Sequence, residues 1–268
     1  MTNKKTNYKQ MKTIKLLAIT VVLLFSSVNM LISQTTGLQV MQKVYDLPSG
    51  KDTQAELTMT LINKQGEKRV RQLKQYIADE GSVEKKIMYF TAPADVKGTS
   101  FMNWSYSSAK DDDQWIYLPA LKRTKRISSG SKGDYFMGSD FTYDDLGERH
   151  PDEDTHKLLR EETVDGKPCF VVESTPKAKG HMYSKTITWV LKDTYIGLKR
   201  EFYDPNAKLL KTLTIKNFKK ISGVWVILDT EMKNVQKNHS TTISLANVKI
   251  NQGVPASKFT ERSMTMGQ

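Results

Sequence analysis

SFMNWSYSSAKDDDQWIYLPALKRTKRIS, residues 100–128, decides how this chain folds. In SFMNWSY, Met102, Trp104 and Tyr106 share one phase of a two-residue alternation, with Phe101 on the other. In QWIYLP, Trp115 and Tyr117 point one way while Ile116 and Leu118 point the other. An antiparallel sheet with one wet face alternates apolar and polar residues cleanly. Strands that are apolar on both faces need cover on both. One side takes helix, and the other takes the sheet's own curled interior, filled by side chains or by a ligand. The triplet Asp111-Asp112-Asp113 reads as a charged hairpin turn, because it lacks the glycine and distal glutamate of a calcium loop.

The same texture runs through the chain. Leu57, Met59 and Leu61 alternate with threonines, and similar runs occur in RQLKQYIA, VEKKIMYFTAP, CFVVES, KTITWVLK, LKREFYD, KLLKTLTIKNF, VWVILDTEM and TTISLANVKI. Turn formers separate them, among them Asp79-Glu80-Gly81, Asp165-Gly166, Asp204-Pro205-Asn206 and Ser222-Gly223. About eleven strands at hairpin spacing predict one antiparallel meander. A helix precedes it: in GLQVMQKVYDLPSG, Val40, Val44 and Leu47 recur at helical spacing until Pro48-Ser49-Gly50 stops the run. No linker rich in Pro, Gly or Ser divides residues 35–268.

Residues 1–34 stand apart. From Met11 the chain has a basic start, an apolar run from Leu16 to Phe25, then small and polar residues, the layout of an export signal. That segment carries five lysines and no acid, so the formal charge of the remainder falls from +12 to +7. A basic exported protein meets anionic partners such as headgroups or acidic surfaces, and export argues against nucleic acid. The single cysteine, Cys169, permits no internal disulfide and lies too far along for lipid attachment after a signal; it reads as a small buried hydrophobe.

Catalytic and metal signatures are absent: there is no G-x-S-x-G, no H-E-x-x-H, no phosphate loop and no paired C-x-x-C. HPDEDTH, residues 150–156, reads as a solvated loop rather than a metal site, and no cofactor is expected. LKRTKRIS sets Arg123 and Arg126 beside an aromatic strand, where their planar forks suit phosphate or carboxylate, as a headgroup or partner rim. In GDYFMGSDFTYDDL, Phe136, Met137 and Phe141 lie between glycines with no clear period, which suits a flap over a cavity.

Three blocks, PADVKGTSFMNW (93–104), QWIYLPALKRTKRIS (114–128) and YFMGSDFTYDDL (135–146), resemble the outer membrane lipoprotein-sorting protein family, the LolA/LolB-like periplasmic proteins, in its uncharacterised branch. The strand-rich tail with YDPNAKLLKTL, GVWVI and HSTTISLANVKIN also fits. The resemblance implies a half-barrel of strongly curved antiparallel sheet closed by a few helices around a cavity for acyl chains. It implies a non-enzymatic monomeric carrier in the periplasm that moves a lipoprotein or a phospholipid towards the outer membrane. It points to an inner-membrane transporter of the resistance-nodulation-division type and an outer-membrane acceptor as partners. On that expectation Trp104, Trp115, Tyr117, Trp189 and Trp225 are candidates for the cavity wall, and Phe136, Met137 and Phe141 for its lid. The alternative is an accessory or scaffold subunit of such a transport system. A third expectation, an enzyme on lipid or glycan, would draw on Asp140, Asp144 and His150.

Overall fold

The computed structural model describes residues 35–266, so the expected export signal lies outside the described residues. A single antiparallel sheet dominates, with thirteen strands among those residues. They are β1 (Asp52–Ile62), β2 (Lys68–Asp79), β3 (Val83–Ala92), β4 (Ser100–Tyr106), β5 (Asp113–Leu118), β6 (Arg123–Arg126), β7 (Asp154–Val164), β8 (Lys167–Pro176), β9 (Lys185–Leu191), β10 (Gly197–Tyr203), β11 (Leu209–Ile221), β12 (Val224–Asn234) and β13 (His239–Ile250). Their spatial order is 6-5-4-3-2-1-13-12-11-10-9-8-7. The chain walks outward from β1 to β6, crosses to the opposite edge, and walks back until β13 pairs with β1 from Thr53↔Ile250 to Ile62↔Ser240.

The expected turns form for the expected reason. Asp165-Gly166 and Ser222-Gly223 are two-residue hairpin loops with positive φ throughout, 49° and 75° in the first, 50° and 84° in the second. That is the backbone whose twist matches right-handed strands. Two strands exceed the expected count. β6 is short and basic, and β7 (DTHKLLREETV) is polar at most positions, so both edges of the sheet lack an apolar alternation to read. The solvated loop expected at 150–156 is corrected accordingly. Only Pro151–Glu153 forms a 3-10 turn, while Asp154 opens β7 and is buried, with His156 two residues further on.

The inner face follows one register row after another. Leu245, Leu57, Leu73, Phe90 and Ile243, Met59, Arg71 lie in line, and Met88, Phe101 and Ile116 continue across β3 to β5. The outer face carries the opposite row of Tyr76, Ile87, Met102 and Trp115.

Residues 127–153, which connect β6 to β7, lie across the inner face as a strap. Its contacts measure the curvature of the sheet. Gln114 on β5 donates to the Tyr143 carbonyl at 2.8 Å, and Lys211 on β11 pairs with Asp145. These strands stand seven spacings apart in the sheet, about 34 Å if it were flat. Residues 143 and 145 are at most about 7 Å apart, so two side chains cannot span the rest unless the sheet curls. The expected half-barrel, open rather than closed, follows.

Cover comes from three short helices, α1 (Gly37–Tyr45), α2 (Tyr143–Leu146) within the strap and α3 (Glu261–Met266). α1 starts on a capping box between Thr36 and Gln39 and seats Val40 and Met41 on Phe170, Val172 and Val190 of β8 and β9. Gly37 is required there, since a Cβ would sit 2.7 Å from the Leu158 amide nitrogen of β7. On the outer face, Phe259 and Met264 of the C-terminal segment cover Ile87, Tyr89 and Met102. No helix among the described residues is long and apolar enough to cross a membrane.

Candidate functional site

The strap divides the interior into a filled half and a hollow half. Under β1 to β5 the interior is solid: Phe136 has no exposed surface and lies 5.8 Å from Phe90 and 5.2 Å from Phe101, ring centre to ring centre. Tyr143 and Met137 pack on the same cluster, and Arg71 donates to the Met137 carbonyl at 2.5 Å. The segment expected as a flap is thus anchored at its first aromatic.

Beyond Phe136 the strap roofs a cavity of about 270 Å³. α1 supplies Met41, Val44 and Tyr45, the strap supplies Phe141, Asp144, Asp145 and residues 147–151, and β8 to β12 supply Ser174, Thr186, Arg200, Phe202, Leu213 and Met232. The apolar part is a patch of Phe141, Phe202, Leu213 and Met232, packed on Tyr183. A second hollow of about 530 Å³ shares Asp144, Glu148, Arg149 and His181 with the first as a common wall.

Polar groups tie this part of the strap down. Lys211, with no exposed surface, ion-pairs with Asp145 and donates to the Asp140 carbonyl at 3.0 Å. Burial lowers its pKa, against the pull of Asp145. The Tyr183 hydroxyl donates to Asp145 at 2.9 Å, and burial followed by the Asp145 charge raises its pKa. The Thr241 hydroxyl donates to the Asp140 carboxylate at 2.7 Å, and His239 Nδ1 meets the same oxygen at 2.7 Å. Arg149 clamps Asp154 at 2.6–3.1 Å and Glu153 at 3.1 Å. Its pKa rises because those carboxylates outweigh burial. Glu148, at the mouth, is pushed up to about 7 by burial and by the neighbouring charge of Glu84, with a smaller contribution from Asp112.

The eight side chains expected to touch lipid are not brought together. Phe141 lines the cavity, while Phe136 and Met137 belong to the filled half. Trp104, Trp115 and Tyr117 are on the outer face, in the cluster around Phe259 and Met264. Trp189 and Trp225 sit in another cluster with Cys169, Val171 and Leu191. By register Trp189 shares its face with Lys199 and Thr214, away from the cavity. Alternation identifies which residues share a face but not which face is inner, and that is what the sequence lacked. Arg126 pairs with Asp113, and Arg123 is exposed on the edge strand β6. Of the three residues named for catalysis, Asp140 holds Thr241 and His239 while Asp144 and His150 line the cavity. Sequence reasoning missed Arg200, Lys211 and Tyr183. The signal for the two cations was there, since Arg200 is in phase with Phe202 and Lys211 with Leu213.

Comparison with known proteins fits this architecture. A family model described as an uncharacterized protein matches residues 82–266. A DUF1329 family protein from Desulfovibrio piger is 32% identical, with a TM-score of 0.81, across 85% of this chain and 97% of its own. A domain from Vibrio parahaemolyticus described as an outer membrane lipoprotein-sorting protein is 36% identical, with a TM-score of 0.81, across 85% of this chain and 98% of its own. The chain belongs to the outer membrane lipoprotein-sorting (DUF1329) family. A LolA superfamily protein from Nitrosomonas europaea, at 20% identity and a TM-score of 0.67 over 85% of this chain and 99% of its own, shares the fold of this family. No curated protein matches the sequence. The family places the chain among LolA-like folds.

Proposed function

We propose that the protein is a periplasmic, non-enzymatic carrier that covers the acyl chains of a lipoprotein or lipid on the way to the outer membrane. The observation that carries this reading is the hollow half of the curled sheet, with an apolar patch of Phe141, Phe202, Leu213 and Met232 beneath the part of the strap that polar groups tie down. Membership of a lipoprotein-sorting family supports it.

The energetics explain why a carrier needs this form. Exposed methylenes cost about 0.8 kcal/mol each, so two ordinary acyl chains represent on the order of 20 kcal/mol in water. A cavity of about 270 Å³ falls below the roughly 300–1,000 Å³ that drug-sized ligands occupy. Loading therefore requires the roof to move. The shared wall at Asp144, Glu148, Arg149 and His181 is where the cavity and the neighbouring hollow of about 530 Å³ would merge. Opening the roof gives up hydrogen bonds and ion pairs together with the apolar contacts of α1 and Phe141, and its opening equilibrium tunes affinity. Residues 1–34 would direct the chain to the periplasm.

Native mass spectrometry of protein purified from an envelope fraction tests the reading. Co-purified lipid is the expected result. Protein that is lipid-free and also ignores added phospholipid and acylated peptide would exclude a carrier role, and crosslinks from the strap to another protein would favour a scaffold.

A further inference from the structure

Arg200 is a cation at the cavity wall with no ion-pair partner within 4 Å among the described residues. Its Nε donates to Thr188 Oγ1 at 3.1 Å, and among the described residues neither Nη nitrogen has a hydrogen-bond partner or an ion pair. Burial lowers its pKa, with the charges of Asp145 and Asp154 opposing that effect. The other cations around the cavity are taken: Arg149 by Asp154 and Glu153, Lys211 by Asp145 and a carbonyl. Of the carboxylates, Asp144 lies 3.5 Å from His181 Nε2, while Glu148 at the mouth has no ion pair among the described residues and is held towards its neutral form by burial and by Glu84. Among the cations, that leaves one guanidinium fork, beside Phe202 on β10. Arg200 is half-buried, and a partly desolvated charge gains from an oppositely charged, hydrogen-bonding partner.

From this geometry we infer that the cavity takes an anionic amphiphile, with Arg200 binding its carboxylate or phosphate head and the Phe141–Phe202–Leu213–Met232 patch receiving the start of its chain. A planar fork with two free nitrogens matches an oxyanion through paired, charge-assisted hydrogen bonds. The inference rests on the carrier reading and narrows it. The ester-linked chains of a lipoprotein bear no anion, so a head-selective Arg200 marks a fatty-acid or phospholipid type of cargo.

The test is displacement of the neutral dye Nile red from the full-length exported protein at pH 8 by laurate, dodecyl phosphate, dodecanol and inorganic phosphate. In the wild type, both anionic amphiphiles are expected to compete at about tenfold lower concentration than dodecanol. Arg200→Gln is expected to abolish that preference and leave dodecanol unchanged. Equal competition by laurate and dodecanol in the wild type would overturn the inference without recourse to any variant. So would a preference that survives Arg200→Gln. Displacement by inorganic phosphate as effective as by dodecyl phosphate, and dependent on Arg200, would show a free-oxyanion site and overturn the amphiphile. If none of the tailed compounds competes and no lipid co-purifies, the carrier reading itself falls.

Discussion

Lys211 and Asp145 are 0% and 5% exposed at their side chains, the most enclosed ion pair among the described residues. Such a pair adds little over well-packed apolar neighbours, yet removing one member strands the other, at a cost of about 3–5 kcal/mol. Lys211→Met is expected to lower the unfolding free energy by about 3 kcal/mol, and adding Asp145→Asn to recover part of it. Urea denaturation of the two single variants and the double variant checks this, and strict additivity would deny the coupling. Glu148 makes a different claim. Its folded pKa of about 7 lies above the ordinary carboxylate value, so the folded state keeps a proton that the unfolded chain has released. The resulting destabilisation is absent below the unfolded pKa, grows between about pH 4.5 and 7, and is complete above. Glu148→Gln should therefore raise the melting temperature more at pH 8 than at pH 5. Solvent at the mouth limits the effect to about 1 kcal/mol, or about 2–4 °C. An equal difference at both pH values would refute the assignment.

At the scale of elements, α1 stands against β7 with no room for a side chain at Gly37. Helix propensity alone predicts that Gly37→Ala stabilises by several tenths of a kcal/mol. The contact with the Leu158, Lys157 and His156 backbone reverses the sign, and a loss of about 1–3 kcal/mol is expected in thermal melts. The aromatic strands separate in the same way. Phe141→Ala opens the cavity patch and should change acyl-chain affinity, whereas Trp115→Ala removes packing beneath Phe259 and Met264 and should change stability instead. Matched displacement and denaturation curves decide between these roles. How legible these elements were depends on where they sit. α1, the strands from β1 to β5 and those from β8 to β13 announce themselves because their apolar alternation is imposed by burial. β7 does not, since an edge strand with Lys157, Arg160, Glu161 and Glu162 obeys solvent rather than the core. The strap was legible as an aperiodic aromatic run, but its anchoring by Phe136 depends on Phe90 and Phe101, residues contributed by other strands.

The whole molecule couples these parts through its curl. β1 is paired with β2 on one side and with β13, nearly the full domain later in sequence, on the other, and the strap joins the two wings from inside. The wing of β1 to β5 is solid with Phe101, Phe136 and Met88, so it cannot yield without losing core contacts. The wing of β8 to β12 contains the cavity, and its roof of α1 and residues 139–151 rests on polar ties and a few apolar side chains. Opening free energy is therefore distributed unevenly, with the lowest cost at the roof. Hydrogen exchange measured with and without a bound two-chain lipid should show this asymmetry. Amides of α1 and of residues 139–151 are expected to change on loading, because a lipid of that size exceeds the closed cavity, while β1 to β5 keep their protection. Changes centred instead on α3 and the Trp104–Trp115 face would move the binding site to the outer side of the sheet and overturn the cavity as its location.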